Sequence, residues 1–443
     1  MPALSLKEQN LSTDKLRASG HETAGSVPPP AGSTTPSTTP STAPGRARAT
    51  RLDTLTGLRF PAAFVVFLYH ASLLAFLGVP WLNSSSAVTT YYDAVAHAGA
   101  LGVTFFFVLS GFVLTWSARD TDTAPRFWRR RFLKIVPNYV LVWALAMMVF
   151  AAPVTDFTIG TLNLFMVQVY YPDFAINFGV NPAGWSLAVE AIFYLSFPTL
   201  FHWIKKIPAH RLNLWVAAAA AGIIATPLLS TLLVPAGSLM MATEPDTSVN
   251  QYFVSYILPF PRVLDFALGI LVARSVIAGR WRNIGMIWSG VLLAASYAVG
   301  YYTPPIYSTR AVCVVPAALL IAAGAIADNE GRFTLFRNRV MVWLGDISFA
   351  FYLVHYTVMV AVWKLLGSKA YSPLEAVGML ALCMGVAILA SWAMFALIER
   401  PITRRWSNPK KKPVATTAPP EPAPRPLAAR QVGEEHADDG VSA

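Results

Sequence analysis

The sequence predicts an all-α fold, a polytopic integral-membrane bundle of about ten transmembrane helices with both termini cytoplasmic. Three observations predict it. Of 443 residues, 55% are hydrophobic and only 13% charged, against about 25% charged in ordinary soluble domains. The apolar residues gather into runs of membrane length, and the Lys and Arg residues cluster between alternate runs. The net charge of +11 does not point to nucleic acid, because the basic residues form short, dispersed clusters and no single stripe.

The chain opens on "SVPPPAGSTTPSTTPSTAPGRARA" and closes on "PVATTAPPEPAPRPLAARQVGEEHADDG". Both are too poor in large apolar residues to bury a core, so residues 1–50 and 403–443 are expected to be disordered cytoplasmic tails flanking a membrane domain at 51–402. No small-residue cleavage site precedes the first apolar segment, which is expected to stay as an anchor. A helix crosses the hydrocarbon core in roughly 20 residues. Runs of that length fall near 59–78, 98–117, 135–152, 184–204, 213–234, 253–273, 284–302, 308–327, 342–366 and 374–397. The stretch "FTIGTLNLFMVQVYY" is shorter and interrupted by Gly160, Asn163 and Gln168, and is expected to be partial or interfacial. Cys313 and Cys383 lie inside apolar runs and read as small core hydrophobes.

Charge orients these spans. With ten spans and an inside N-terminus, the cytoplasmic connections are "RARATRLD", "RDTDTAPRFWRRRFLK", "KKIPAHR", "RSVIAGRWRN", "DNEGRFTLFRNR" and "ERPITRRWSNPKKK", all basic. The opposite connections hold almost no Lys or Arg beyond Arg310 and Lys369. That asymmetry is the positive-inside pattern, and it predicts a multi-pass plasma-membrane protein.

Ionisable groups inside spans are costly and therefore candidates for function. They are Arg59 and His70 in span one, Glu190 in span four, Arg262 and Asp265 in span six, and His355 in span nine. Arg59 and His70 stand eleven positions apart, about three turns plus 20°, which places them on one helical face about 16 Å apart along the axis. Arginine offers a fixed fork of donors for phosphate, and a neutral imidazole suits removal of a proton from a hydroxyl. Such an axis describes group transfer, from an anion site at the cytoplasmic boundary to a base deep in the protein.

The segments "LDTLTGLRFPAAFVVFLYH", "GVTFFFVLSGFVL", "RRRFLKIVP", "GWSLAVEAIFYLSFP", "RVLDFALGILVAR", "LGDISFAFYLVHY" and "IERPI" follow one another in order. With them the chain resembles acyltransferase family 3, integral-membrane O-acyltransferases, over roughly residues 51–402. It resembles the stand-alone members, including actinobacterial enzymes that acylate macrolide antibiotics. The resemblance implies transfer of an acyl group, by default acetyl, from acyl-CoA to a hydroxylated acceptor such as a sugar, a surface glycan or a macrolide, with no metal. It implies Arg59 and His70 as the family's R-x10-H element, His70 serving as general base. The family's paired arginines appear as Arg131 and Lys134, the second keeping charge without the bidentate fork. Together with Arg129 and Arg130 they are expected to contact the donor's phosphates.

Each candidate also has a structural reading. His70 and His355 can serve as hydrogen-bonded packing residues. Arg59 and the basic loop follow from topology alone. Glu190 either orients the His70 imidazole or joins two helices, and Arg262 with Asp265, three apart, can neutralise each other. Ser110 and Gly111 read as a close helix approach, since no nucleophile elbow surrounds the serine. A secondary transporter using Glu190, Arg262 and Asp265 is the alternative function, though the two halves show no self-similarity.

Overall fold

The computed structural model describes residues 49–119, 122–239 and 248–406. The expected tails fall almost wholly outside these residues, and the last helix runs four residues beyond the expected boundary, to Trp406. In chain order the helices are α1 Asp53–Leu73, α2 Ser85–Val95, α3 Ala98–Trp116, α4 Ala124–Ala146, α5 Phe157–Leu164, α6 Phe174–Phe178, α7 Gly184–Ile204 and α8 Leu212–Leu233. They continue as α9 Val249–Tyr252, α10 Pro259–Ile277, α11 Gly285–Gly300, α12 Pro305–Ser308, α13 Val314–Glu330, α14 Arg339–Leu365, α15 Pro373–Met394 and α16 Arg400–Trp406. Among the described residues, strand-like pairing is limited to two isolated bridges, Leu82 with Tyr371 and Leu239 with Ser248.

Each expected span coincides with a helix, and seven stretches are long and apolar enough to cross a membrane. The other three fall short for visible reasons. The 16-residue α11 and the 17-residue α13 are short, and α1 mixes Thr54, Thr56, Arg59 and His70 into its apolar run. The interrupted stretch after α4 is the eight-residue α5 followed by a 3-10 turn at Gln168–Tyr170, not a span.

The helices sort by burial. α3, α10 and α14 are mostly enclosed by protein, whereas α4, α7, α8 and α15 present most of their apolar surface outward, as lipid-facing helices should. α1 packs between α3 and α14, α10 lies against α3 and α8, and α13 against α3 and α11. Glycines set the two tightest crossings. A Cβ on Gly111 of α3 would stand 2.0 Å from the Phe266 carbonyl oxygen of α10, and one on Gly345 of α14 would stand 1.9 Å from the Thr56 oxygen of α1. Only a bare Cα permits backbones this close.

The start of α1 is fixed from outside. The helix lacks a side-chain cap of its own, and Thr54 N–H donates to the Asp328 carboxylate at 2.9 Å while its hydroxyl donates at 2.7 Å. An anion at a helix N-terminus meets the positive end of the dipole. Asp328 stands in the last turn of α13, which Gly331 ends in left-handed conformation at φ +71°. These anchors hold α1, the helix that carries both Arg59 and His70.

Candidate active site

Two cavities of opposite character flank the inner helices. The first, of about 120 Å³, is lined by Arg59 from α1, Ser110 from α3, Arg131 and Lys134 from α4, Glu190 and Tyr194 from α7 and Asp346 from α14. It adjoins a basic recess of about 230 Å³ around Arg119, Arg130, His202 and Lys205, with Leu114 and Arg131 lining both. The Arg131 guanidinium lies 5.6 Å from the ring centres of both Phe127 and Tyr194, a cation–π arrangement that fixes it. The Glu190 carboxylate accepts from Ser110 at 3.0 Å and from the Tyr194 hydroxyl. Lys134 is 3.8 Å from the Glu399 carboxylate of the "IERPI" segment.

The basic cluster divides. Arg130 turns toward Asp122 in the connection before α4, and its hydrogen bond holds the Asp122 carboxyl below the usual carboxylate range. Arg129 is exposed and lines neither the cavity nor the recess, because its position on α4 faces away from the side carrying Arg131 and Lys134. Of the four, Arg131 and Lys134 line the basic cavity, Arg130 and Arg131 line the recess, and Arg129 lines neither. Ser110 also departs from expectation: Gly111 makes the close helix approach, and Ser110 projects into the cavity.

The second cavity is a chamber of about 410 Å³ walled by aromatic rings, among them Tyr69, Phe178, Trp185, Tyr256 and Tyr352, and it contains His70. Among the described residues, no Lys, Arg, Asp or Glu lines it. Val103 and Tyr352 line both this chamber and the basic cavity. The Tyr352 hydroxyl lies 2.6 Å from Ser186 Oγ, so the ring stands as a held partition. Three turns of α1 thus connect Arg59 in one cavity to His70 in the other.

His70 is joined to His355, not to Glu190. His70 Nδ1 lies 2.7 Å from His355 Nε2, and His355 Nδ1 lies 3.1 Å from the Phe351 carbonyl oxygen one turn earlier on α14. The two rings stack at 5.0 Å between centres. Glu190, expected to orient the imidazole or to join two helices, bonds to Ser110 and Tyr194, and the ring beside His70 is that of His355, 285 positions away.

Arg262 and Asp265 pair as their spacing predicts, at 3.3 Å. A third partner was hidden in the sequence: Arg310, read as an outer-loop residue at the edge of a span, is fully buried and donates to Asp265 at 3.1 Å. Arg262 is sandwiched between the Phe107 and Tyr256 rings. This network lines neither cavity and braces the wall that they share. Two residues of the basic cavity were also missed. Tyr194 is four positions after Glu190, a helical neighbour that spacing alone could have flagged, and Asp346 lay inside the ninth expected span.

The acyltransferase domain profile of acyltransferase family 3 matches residues 52–395. The chain is 38% identical to acyltransferase MdmB of Streptomyces mycarofaciens over 389 residues, which cover 85% of this chain and 97% of that protein. It is 23% identical to O-acetyltransferase OatA of Staphylococcus aureus (strain NCTC 8325 / PS 47) over 70% of this chain and 51% of that protein. It is 24% identical to peptidoglycan O-acetyltransferase OatA of Listeria monocytogenes over 70% of this chain and 49% of that protein. The chain thus spans about half the length of the two OatA proteins. No solved structure matches it.

Proposed function

Because the chain belongs to acyltransferase family 3 and is a multi-pass membrane O-acyltransferase, we propose that it moves an acyl group from acyl-CoA, held in the basic cavity, to a hydroxyl held in the aromatic chamber. The observation that carries this reading is the pair of cavities meeting at Tyr352, one cationic and one uncharged, with His70 in the second. Arg59, Arg131 and Lys134 receive the donor's phosphates, and Arg130 lines the adjoining recess, where the nucleotide end fits. The acyl arm then passes Tyr352 toward His70.

In the chamber, His70 Nε2 accepts the proton of the acceptor hydroxyl as its oxygen attacks the thioester carbonyl. The carbon–sulfur bond breaks, the leaving sulfur takes the proton from the imidazolium, and free thiol and ester leave. Acetyl is the default acyl group, in keeping with the OatA relatives, which are O-acetyltransferases by name. An acceptor without net charge suits walls without charged side chains, and aromatic faces suit the C–H faces of a sugar or a macrolide.

The basic connections support a reading in which the recess and both termini face the cytoplasm of a plasma-membrane protein. A transport path through Glu190, Arg262 and Asp265 has no support, since Arg262 and Asp265 line neither cavity and Asp265 is held by both Arg262 and Arg310.

The test is acyl transfer by purified protein to a glycosylated macrolide and to neutral sugars, with mass detection of the ester. His70→Ala is expected to insert normally and to lose transfer by on the order of 10²- to 10⁴-fold, the usual worth of a positioned base. Normal transfer by that variant removes His70 from the reaction.

A further inference from the structure

The hydrogen bonds around His70 determine which of its nitrogens carries a proton. A carbonyl oxygen only accepts, so the Nδ1 of His355 that faces Phe351 O carries hydrogen. A neutral imidazole has one proton, so His355 Nε2 is bare and acts as an acceptor. His70 Nδ1, 2.7 Å away, must then be the donor. That leaves His70 Nε2 unprotonated, as a base requires. From this we infer that His355 is the positioning residue of the active site: it fixes the His70 tautomer and ring plane, in place of the carboxylate that usually orients a catalytic histidine.

The choice of partner follows from the surroundings. Both rings are buried, His70 at 5% and His355 at 0% exposure, and Phe67, Phe351, Tyr352 and Tyr356 pack around them. A carboxylate here would carry a desolvation cost of several kcal/mol in every state of the cycle. A neutral imidazole gives the same acceptor without placing charge in the resting site. Once His70 takes up the substrate proton, the Nδ1–H bond to His355 becomes charge-assisted and strengthens. Stabilisation that grows as the proton moves lowers the barrier and leaves ground-state binding unchanged.

The inference rests on His70 being the base, and the experiment separates the two. His355→Phe keeps ring size and the aromatic packing but removes the acceptor. His355→Gln restores an acceptor toward His70 and a donor toward Phe351 O. His355→Phe is expected to lower kcat on the order of 10²-fold with both KM values within about threefold, and His355→Gln to return kcat to within about tenfold of the parent. Nitrogen-15 NMR of histidine-labelled protein should show His70 as the Nδ1–H tautomer in the parent and a mixture in His355→Phe, a readout independent of turnover.

Parental kcat in His355→Phe overturns the inference, as does an equal loss in both variants or an Nε2–H tautomer in the parent protein. If instead His70→Ala keeps transfer, the base assignment fails while the tautomer measurement still judges the histidine pair.

Discussion

The basic cavity and the aromatic chamber share two residues, Val103 and Tyr352, yet treat charge in opposite ways. On the basic side three of the charges have a local arrangement that holds them: Arg131 between two rings, Lys134 near Glu399, Glu190 under two hydroxyls. Among the described residues no charged side chain lines the chamber, and its catalytic candidate, His70, is hydrogen-bonded to a second imidazole, His355. The contrast teaches how a membrane enzyme can divide its work. Polyanion recognition stays where compensating groups are available, and proton transfer is done where a permanent charge would be expensive.

The largest effect that could break this division is on the donor side. Arg131→Met removes the guanidinium that lines both the cavity and the recess, and a charge-assisted hydrogen bond is worth about 1.5–3 kcal/mol. Donor KM should rise about 10- to 100-fold with acceptor KM unchanged, measured by steady-state transfer in reconstituted vesicles. On the chamber side, Trp185→Leu removes one aromatic wall, and acceptor KM should rise roughly tenfold with donor KM unchanged. An increase in donor KM there would mean that the chamber holds the acyl arm instead.

The smallest effect sharpens the edge of the basic side. Asp122→Asn frees Arg130 and removes a negative charge from the recess, so donor KM should fall by roughly twofold, as befits a half-buried ion pair near the surface, and the gain should fade with added salt. Because Arg130 holds the Asp122 carboxyl below the usual range, the pair persists through neutral pH and is lost only as pH falls through that lowered value. The variant's advantage should therefore be flat across neutral pH.

What the sequence made legible was local. The eleven-residue interval from Arg59 to His70, the three-residue interval from Arg262 to Asp265 and the apolar periodicity of the spans are all properties of single helices, and each reappears in the structure. Side-chain partners across helices were not legible. Glu190 was given to His70 because both were buried ionisable groups. Which helix meets which is decided by packing, including the glycine contacts of α3 with α10 and of α1 with α14. That packing delivers His355 to His70 and Ser110 to Glu190 across 285 and 80 positions. Arg310 was misread for a related reason: at the edge of a span, sequence alone cannot tell an interfacial arginine from one drawn inward by Asp265.

The central claim is that donor and acceptor occupy different cavities across Tyr352. It is tested most directly by measuring both KM values in Arg131→Met and Trp185→Leu side by side. The account predicts a crossed pattern, donor KM raised only in the first and acceptor KM only in the second. The same KM raised in both variants would contradict it, because donor and acceptor would then share one site.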